Sequence, residues 1–222
     1  RQFQGDAKAS KIDIITSSGS SGVLFAQIQK GAPYDVFLSA DAERPDILIS
    51  KGLAVKNSRK VYARGQVVLW RPSVNSPTQT KPFDIHILSA SELKYTLANP
   101  KLAPYGAAAR TLMAEAGLWN ELDRSRIVAQ NIAGAFQYLA SGVVKQGWVS
   151  RSQLHIWSKK HSLPANTYWL PEINSYPAIE QVAVKLTKAK HPGNVDLFLA
   201  FLSAPEAQSL IESYGYLITD TK

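Results

Sequence analysis

The sequence contains no cysteine, which removes disulfides, thiolate chemistry and cysteine-ligated metals from consideration. It has only four histidines, His86, His155, His161 and His191. Their separations match no metal-ligand spacing, and none sits beside a Ser/Asp pattern, so triad and zinc chemistry have nothing to rest on. No Gly-x-Ser-x-Gly elbow is present, and no Gly-Lys-Ser/Thr follows a glycine-rich loop as a Walker motif requires. Ser91-Glu92-Leu93-Lys94 matches the Ser-x-x-Lys pattern of β-lactamases but lacks its partner motifs. No apolar run approaches the roughly 18 residues of a membrane span. These absences point away from an enzyme.

What is present suits a folded domain or two. With 222 residues, 45% of them hydrophobic, the chain can bury one good core or two modest ones. The formal net charge of +8 raises the question of nucleic acid. However, Lys and Arg are scattered, and the local pairs Arg59-Lys60 and Lys159-Lys160 read as lying in loops. No aromatic-basic ribonucleoprotein motif or zinc-knuckle spacing accompanies them. A dispersed basic surface reads as a solvated face, with no nucleic-acid partner expected.

The stretch that carries most information is Thr16-Ser17-Ser18-Gly19-Ser20-Ser21-Gly22. Before it, Ile12–Thr16 is β-branched and predicts a short buried strand; after it, Leu24, Phe25 and Ile28 have helical spacing up to a stop at Lys30-Gly31. A Ser/Gly loop opening a helix presents unpaired backbone N–H groups, neutral hydroxyl donors and the positive end of a helix dipole. Such a place suits an anion. An ordinary serine cap on a flexible loop would have the same sequence.

The pattern repeats along the chain. Val36–Leu38 predicts a strand ended by Ser39-Ala40-Asp41, with a helix over 42–52. Asp35 and Asp41 are read as turn and cap residues in preference to an acid/base pair. Further strands are predicted at Gln66–Trp70, Tyr95–Ala98, Ile127–Ala129, Gly147–Ser150, Thr167–Leu170 and Gln181–Leu186. Tyr95–Ala98 leads through Pro104-Tyr105-Gly106 into a helix bearing Ala109, Leu112, Met113 and Ala116. There the backbone amides beside Tyr105 and Gly106 can approach a ligand closely. Asn131 is a plausible N-cap for a helix with Ile132, Ala135, Phe136 and Leu139 on its apolar face. Ser203-Ala204-Pro205-Glu206 reads as a capping box for a last helix. Alternating strands and helices imply parallel sheets with helices on both faces, and ligands at the carboxyl ends of the strands.

In this order the motifs resemble the periplasmic molybdate-binding proteins of ABC import systems. The matching pieces are Ser20-Ser21-Gly22, the run Gln27–Phe37, Ser39-Ala40-Asp41, Ala98-Asn99-Pro100 with Pro104-Tyr105-Gly106, and Asn131–Ala135. Tyr176-Pro177, Ser203–Ala207 and Tyr214-Gly215-Tyr216 complete them, so the resemblance spans nearly the whole chain. It implies an α/β chain of two Rossmann-like lobes joined by a two-strand hinge, the type II periplasmic binding protein fold, closing on one tetrahedral oxyanion. The implied lobes are 1–68 with 179–222, and 69–178. The implied role is non-enzymatic: a periplasmic protein, monomeric if complete, that captures molybdate or tungstate and delivers it to the membrane permease of an ABC importer, with no cofactor. The same fold binding another small anion, such as sulfate, phosphate or a carboxylate, is the alternative, and a basic nucleic-acid-binding protein is the more remote one.

Carried over residue by residue, the family's loop serine falls on Ser21, with Ser20 beside it, and its backbone N–H contacts fall on Tyr105, with Gly106, and on Ile132. Ser150 stands where some members use a tyrosine hydroxyl to close the site. The family's other ligand loop in lobe one lies upstream of Arg1. Arg1-Gln2-Phe3-Gln4 reads as the last turn of a helix, so the first strand and helix of lobe one are expected to precede this chain, as part of a longer mature protein.

Overall fold

The computed structural model describes residues 12–72, 84–89 and 93–218. In chain order the elements are α1 (Ser21–Gln29), β1 (Val36–Ser39), α2 (Glu43–Ser50), β2 (Lys60–Gly65), β3 (Val67–Trp70) and β4 (Tyr95–Ala98). There follow α3 (Pro104–Glu115), α4 (Leu118–Glu121), β5 (Arg126–Ala129), α5 (Ile132–Ala140), β6 (Gln146–Ser150) and α6 (Arg151–Ser158). The chain continues through β7 (Tyr168–Trp169), β8 (Ile179–Lys185), α7 (Pro192–Phe201) and α8 (Pro205–Ser213). Helices stop where the sequence places glycine: Gly31 after α1 and Gly142 after α5 take φ of +88° and +73°, the left-handed geometry that glycine adopts without a Cβ clash.

The chain divides into two compact units, one from the described residues of Arg1–Arg64 and Glu180–Lys222, the other Gly65–Ile179. The first unit has a three-stranded sheet in the order β1-β8-β2, with β1 antiparallel to β8 from Val36 opposite Lys185 to Ser39 opposite Val182. Because strand side chains alternate, β8 serves two cores. Val184 packs with Ile28, Phe37, Leu48 and Leu186, while Ala183 packs with Val195, Leu199 and Leu202.

The second unit has a five-stranded sheet in the order β5-β4-β6-β3-β7. Strands β5 and β6 flank β4 in parallel, and β3 pairs antiparallel with β6 and β7. With β4, β5 and β6 parallel in this order, the right-handed rule for crossovers assigns α3 and α5 to opposite faces. On the α5 face, Val68, Trp70, Leu139, Val149 and Leu154 form one core, and Phe136 and Trp157 pack against it. The Trp70 ring lies 5.7 Å from Phe136 and 5.5 Å from Trp157. Full burial of such side chains contributes roughly 1.5–3 kcal/mol each.

Three expectations need correction. Ile12–Thr16 forms no strand, and Ile15 is 95% exposed. Its β-branched residues fit a half-buried pleated surface, but that preference is realised only beside a ladder partner. Ser203-Ala204-Pro205-Glu206 is no capping box, since Ala204 is the N-cap of α8 and makes no side-chain bond. Proline fixes the first helical position at Pro205, one residue later than a box on Ser203 requires. The chain's real capping box, and helix α6 with it, begins at Ser150, where the sequence reading ended a strand and began nothing. Arg1–Gln4 and Ser91-Glu92 lie outside the described residues.

Candidate functional site

Because β4, β5 and β6 run parallel, their carboxyl ends share one edge of the sheet, and α3, α5 and α6 all begin there. Each helix start leaves backbone N–H groups without partners inside the helix. What happens to those groups differs from helix to helix.

At α5 the cap is partial. Asn131 Oδ1 accepts from Gly134 N–H at 2.9 Å, and the Asn131 carbonyl accepts from Ala135 N–H. The N–H groups of the first two helical residues, Ile132 and Ala133, have no acceptor among the described residues. At α3 the N-cap is Ala103, which has no side-chain cap, and Pro104 at the first helical position carries no N–H. The leading donors of α3 therefore belong to Tyr105 and Gly106. An Asn99 turn delivers the chain there: Asn99 N–H donates to the Ala129 carbonyl, and its own carbonyl accepts from Leu102 and Ala103. Gly106 is required by packing, because a Cβ there would lie 2.1 Å from the Ala98 carbonyl oxygen. Without that side chain, the first turn of α3 can sit directly against the end of β4.

In the first unit, α1 opens the same way. Ser20 is the N-cap but makes no side-chain cap bond, and its hydroxyl is buried without a partner among the described residues. Ser21 Oγ accepts from Ala40 N–H at 3.0 Å. With that lone pair occupied, the Ser21 O–H is left to donate. The loop holding Ala40 is itself braced: Ser39 Oγ donates to Asp41, whose carboxylate also accepts from Arg44 N–H at 2.9 Å and from the Arg44 guanidinium at 2.6 Å. Asp35 staples the return segment, accepting from Lys190 N–H. Asp41 thus does the cap work expected of it, whereas Asp35 makes a long-range tie in place of the expected local turn.

Helix α6 is closed. Ser150 Oγ accepts from Gln153 N–H at 3.2 Å, and Gln153 Oε1 accepts from Ser150 N–H at 3.1 Å. Ser150 Oγ also shares a hydrogen bond with Ser152 Oγ at 3.0 Å. Arg151 N–H donates to the Gln66 carbonyl at 2.8 Å, and its guanidinium donates to the Gln66 side chain. The Ser-x-x-Gln spacing of 150–153 was the signal that could have revealed this box.

The expected residues therefore fall into three groups. Tyr105, Gly106 and Ile132 lie at the starts of two helices on one sheet edge, Ser20 and Ser21 open α1 in the first unit, and Ser150 caps α6. Ala133 was missed, although the N-cap reading of Asn131 implied a second donor beside Ile132. Among the described residues no cluster of three or more His, Asp or Glu side chains could hold a metal ion. The phenols of Tyr62 and Tyr95 are both pushed up chiefly by burial. Tyr95 begins β4, the end away from the donors. A surface groove of about 340 Å³ lined by Pro100, Ala107, Arg110, Thr111, Ala114 and Glu115 includes none of these donors. The chemistry on offer is neutral hydrogen-bond donation at the positive ends of helix dipoles, suited to an anion.

Residues 2–217 match the family model described as bacterial extracellular solute-binding protein. The molybdate-binding protein ModA of Azotobacter vinelandii is 37% identical over 209 residues, covering 91% of this chain and 78% of that protein. ModA of Rhodobacter capsulatus is 34% identical over 200 residues, covering 90% and 75%. The solved periplasmic molybdate-binding protein of Azotobacter vinelandii superposes with a TM-score of 0.87 at 31% identity, covering 99% of this chain and 92% of that one.

Proposed function

The chain belongs to the bacterial extracellular solute-binding protein family, and from that premise we propose that it captures molybdate, and tungstate with it, for an ABC importer. It is a substrate-binding protein of the type II periplasmic binding protein fold and not an enzyme. The observation that carries the ligand reading is the set of open helix starts. Ser21 offers an O–H and α1 its first amides in one unit. In the other unit, α3 and α5 present the N–H groups of Tyr105, Gly106, Ile132 and Ala133.

A dianion accepts charge-assisted hydrogen bonds from such donors, each roughly twice as strong as a neutral pair. Donors fixed on helix starts favour an oxyanion whose oxygens match their spacing, which is the basis we propose for preferring molybdate to the smaller sulfate. Molybdate and tungstate are nearly the same size, so both fit. Ser150 we assign to capping α6, its hydroxyl being engaged by Gln153 and Ser152. The periplasmic setting and the membrane permease partner are supported by the kinship with periplasmic molybdate-binding protein. We expect the protein to bind as a monomer and without a cofactor.

The test is titration calorimetry with molybdate, tungstate, sulfate and phosphate. Selective, tight binding of the first two is the expected result. Comparable affinity for sulfate or phosphate would transfer the fold to another anion.

A further inference from the structure

One side chain joins the closed helix to the open one. Gln153 lies in the first turn of α6, where its Oε1 accepts from Ser150 N–H. Its Nε2 donates to the backbone carbonyl of Ile132 at 3.1 Å, across to α5. The two contacts fix the amide's orientation, since the reverse would set N–H against N–H and oxygen against oxygen.

The carbonyl of Ile132 and the N–H of Ala133 belong to the same rigid, planar peptide unit. Within α5 that carbonyl takes one helical hydrogen bond, and Gln153 occupies its second lone pair. The plane bearing Ala133 N–H is thereby held from outside its own helix. Donation to the carbonyl also polarises the amide and strengthens the N–H at its other end.

We infer that Gln153 is a positioning residue for anion selectivity: it aims and polarises the Ile132–Ala133 peptide so that α5 presents its donors at a fixed spacing. The inference rests on the oxyanion reading above, with Ala133 N–H as a further donor beside Ile132. The plain alternative is that Gln153 merely ties α6 to α5, whose Trp157 and Phe136 rings already meet at 5.9 Å.

Two substitutions separate these roles. Gln153→Glu keeps the acceptor for Ser150 N–H and so retains the capping bond, but it cannot donate to Ile132. Gln153→Met loses both bonds without adding charge. Molybdate and sulfate affinities are measured by calorimetry on the full chain, with thermal unfolding of the ligand-free protein recorded alongside. The expected result is that both variants lose molybdate affinity by roughly three- to tenfold, the range of one neutral hydrogen bond. The molybdate-to-sulfate ratio narrows in both, while the unfolding temperature falls clearly only in Gln153→Met. The charge of Glu repels both dianions alike and leaves the ratio untouched, so narrowing of the ratio reports on donor geometry. If Gln153→Met retains the wild-type molybdate affinity and ratio, Gln153 is only a tie and the inference is overturned. Failure of the unsubstituted protein to prefer molybdate would overturn the oxyanion reading itself, and this inference with it.

Discussion

Helices α5 and α6 begin at the same sheet edge and share an N-cap bond to the third amide, yet they differ at the first amide. At α6, Ser150 and Gln153 satisfy each other reciprocally and the Gln66 carbonyl takes the Arg151 N–H, leaving only that of Ser152 without an acceptor among the described residues. At α5, Asn131 takes only the third amide, and the N–H groups of Ile132 and Ala133 stay open. Leaving the Ile132 N–H without the acceptor that Gln66 gives its counterpart in α6, the Arg151 N–H, forgoes about 1 kcal/mol, the net worth of one hydrogen bond. A sequence that can build a full capping box twenty residues or so downstream (Ser150 to Gln153) has left α5 without one. In the function we propose, a ligand completes the hydrogen bonding at the starts of α1, α3 and α5, whereas at α6 the fold supplies most of it itself.

The largest expected effect tests whether an open start depends on packing. Gly106→Ala would press a methyl group against the backbone oxygen of Ala98, with no flexible side chain to yield. We expect a loss of about 3 kcal/mol or more in denaturant unfolding, or a chain that fails to fold. A near-neutral result would mean that α3 can retreat from β4.

Next comes Ser21→Ala, which removes a hydroxyl donor and strands Ala40 N–H. Molybdate binding should weaken by roughly 1.5–3 kcal/mol, the range for a hydrogen bond to a charged group. An unchanged affinity would reduce Ser21 to a loop brace.

Ser150→Ala sharpens the contrast from the closed side. Unfolding free energy should fall by about 1 kcal/mol, as for loss of an N-cap, and binding should follow stability alone. A selective loss of molybdate affinity would restore Ser150 to the ligand set.

Smallest of all is the effect of Ser20→Ala on the ligand-free protein. The Ser20 hydroxyl is buried with no partner among the described residues, so its removal should be neutral or slightly stabilising. Its loss of molybdate affinity should be smaller than that of Ser21→Ala.

Much of this arrangement was legible in the sequence, for identifiable reasons. Strands β1, β3, β4, β5, β6 and β8 are short apolar runs bounded by polar or turn residues. The cap at Asn131 and the glycine stops depend on chemistry within a few residues. Interactions that reach across the chain were not legible. Whether Ile12–Thr16 pairs depends on a neighbouring strand, which local β propensity does not supply. The bond from Ala40 to Ser21 joins residues far apart in the chain, and so does that from Gln153 to Ile132. Helix α6 carries Arg151, Ser152, Gln153 and His155 in its first turns, too polar to advertise an apolar face, and it was overlooked together with its cap.

The most direct test of open against closed helix starts is an amide NMR titration with molybdate. Large shifts confined to the N–H groups of Ser21, Gly22, Tyr105, Gly106, Ile132 and Ala133, with those of Ser152 and Gln153 nearly still, are the predicted result. Shifts centred on the start of α6, with Ile132 and Ala133 unmoved, would contradict it.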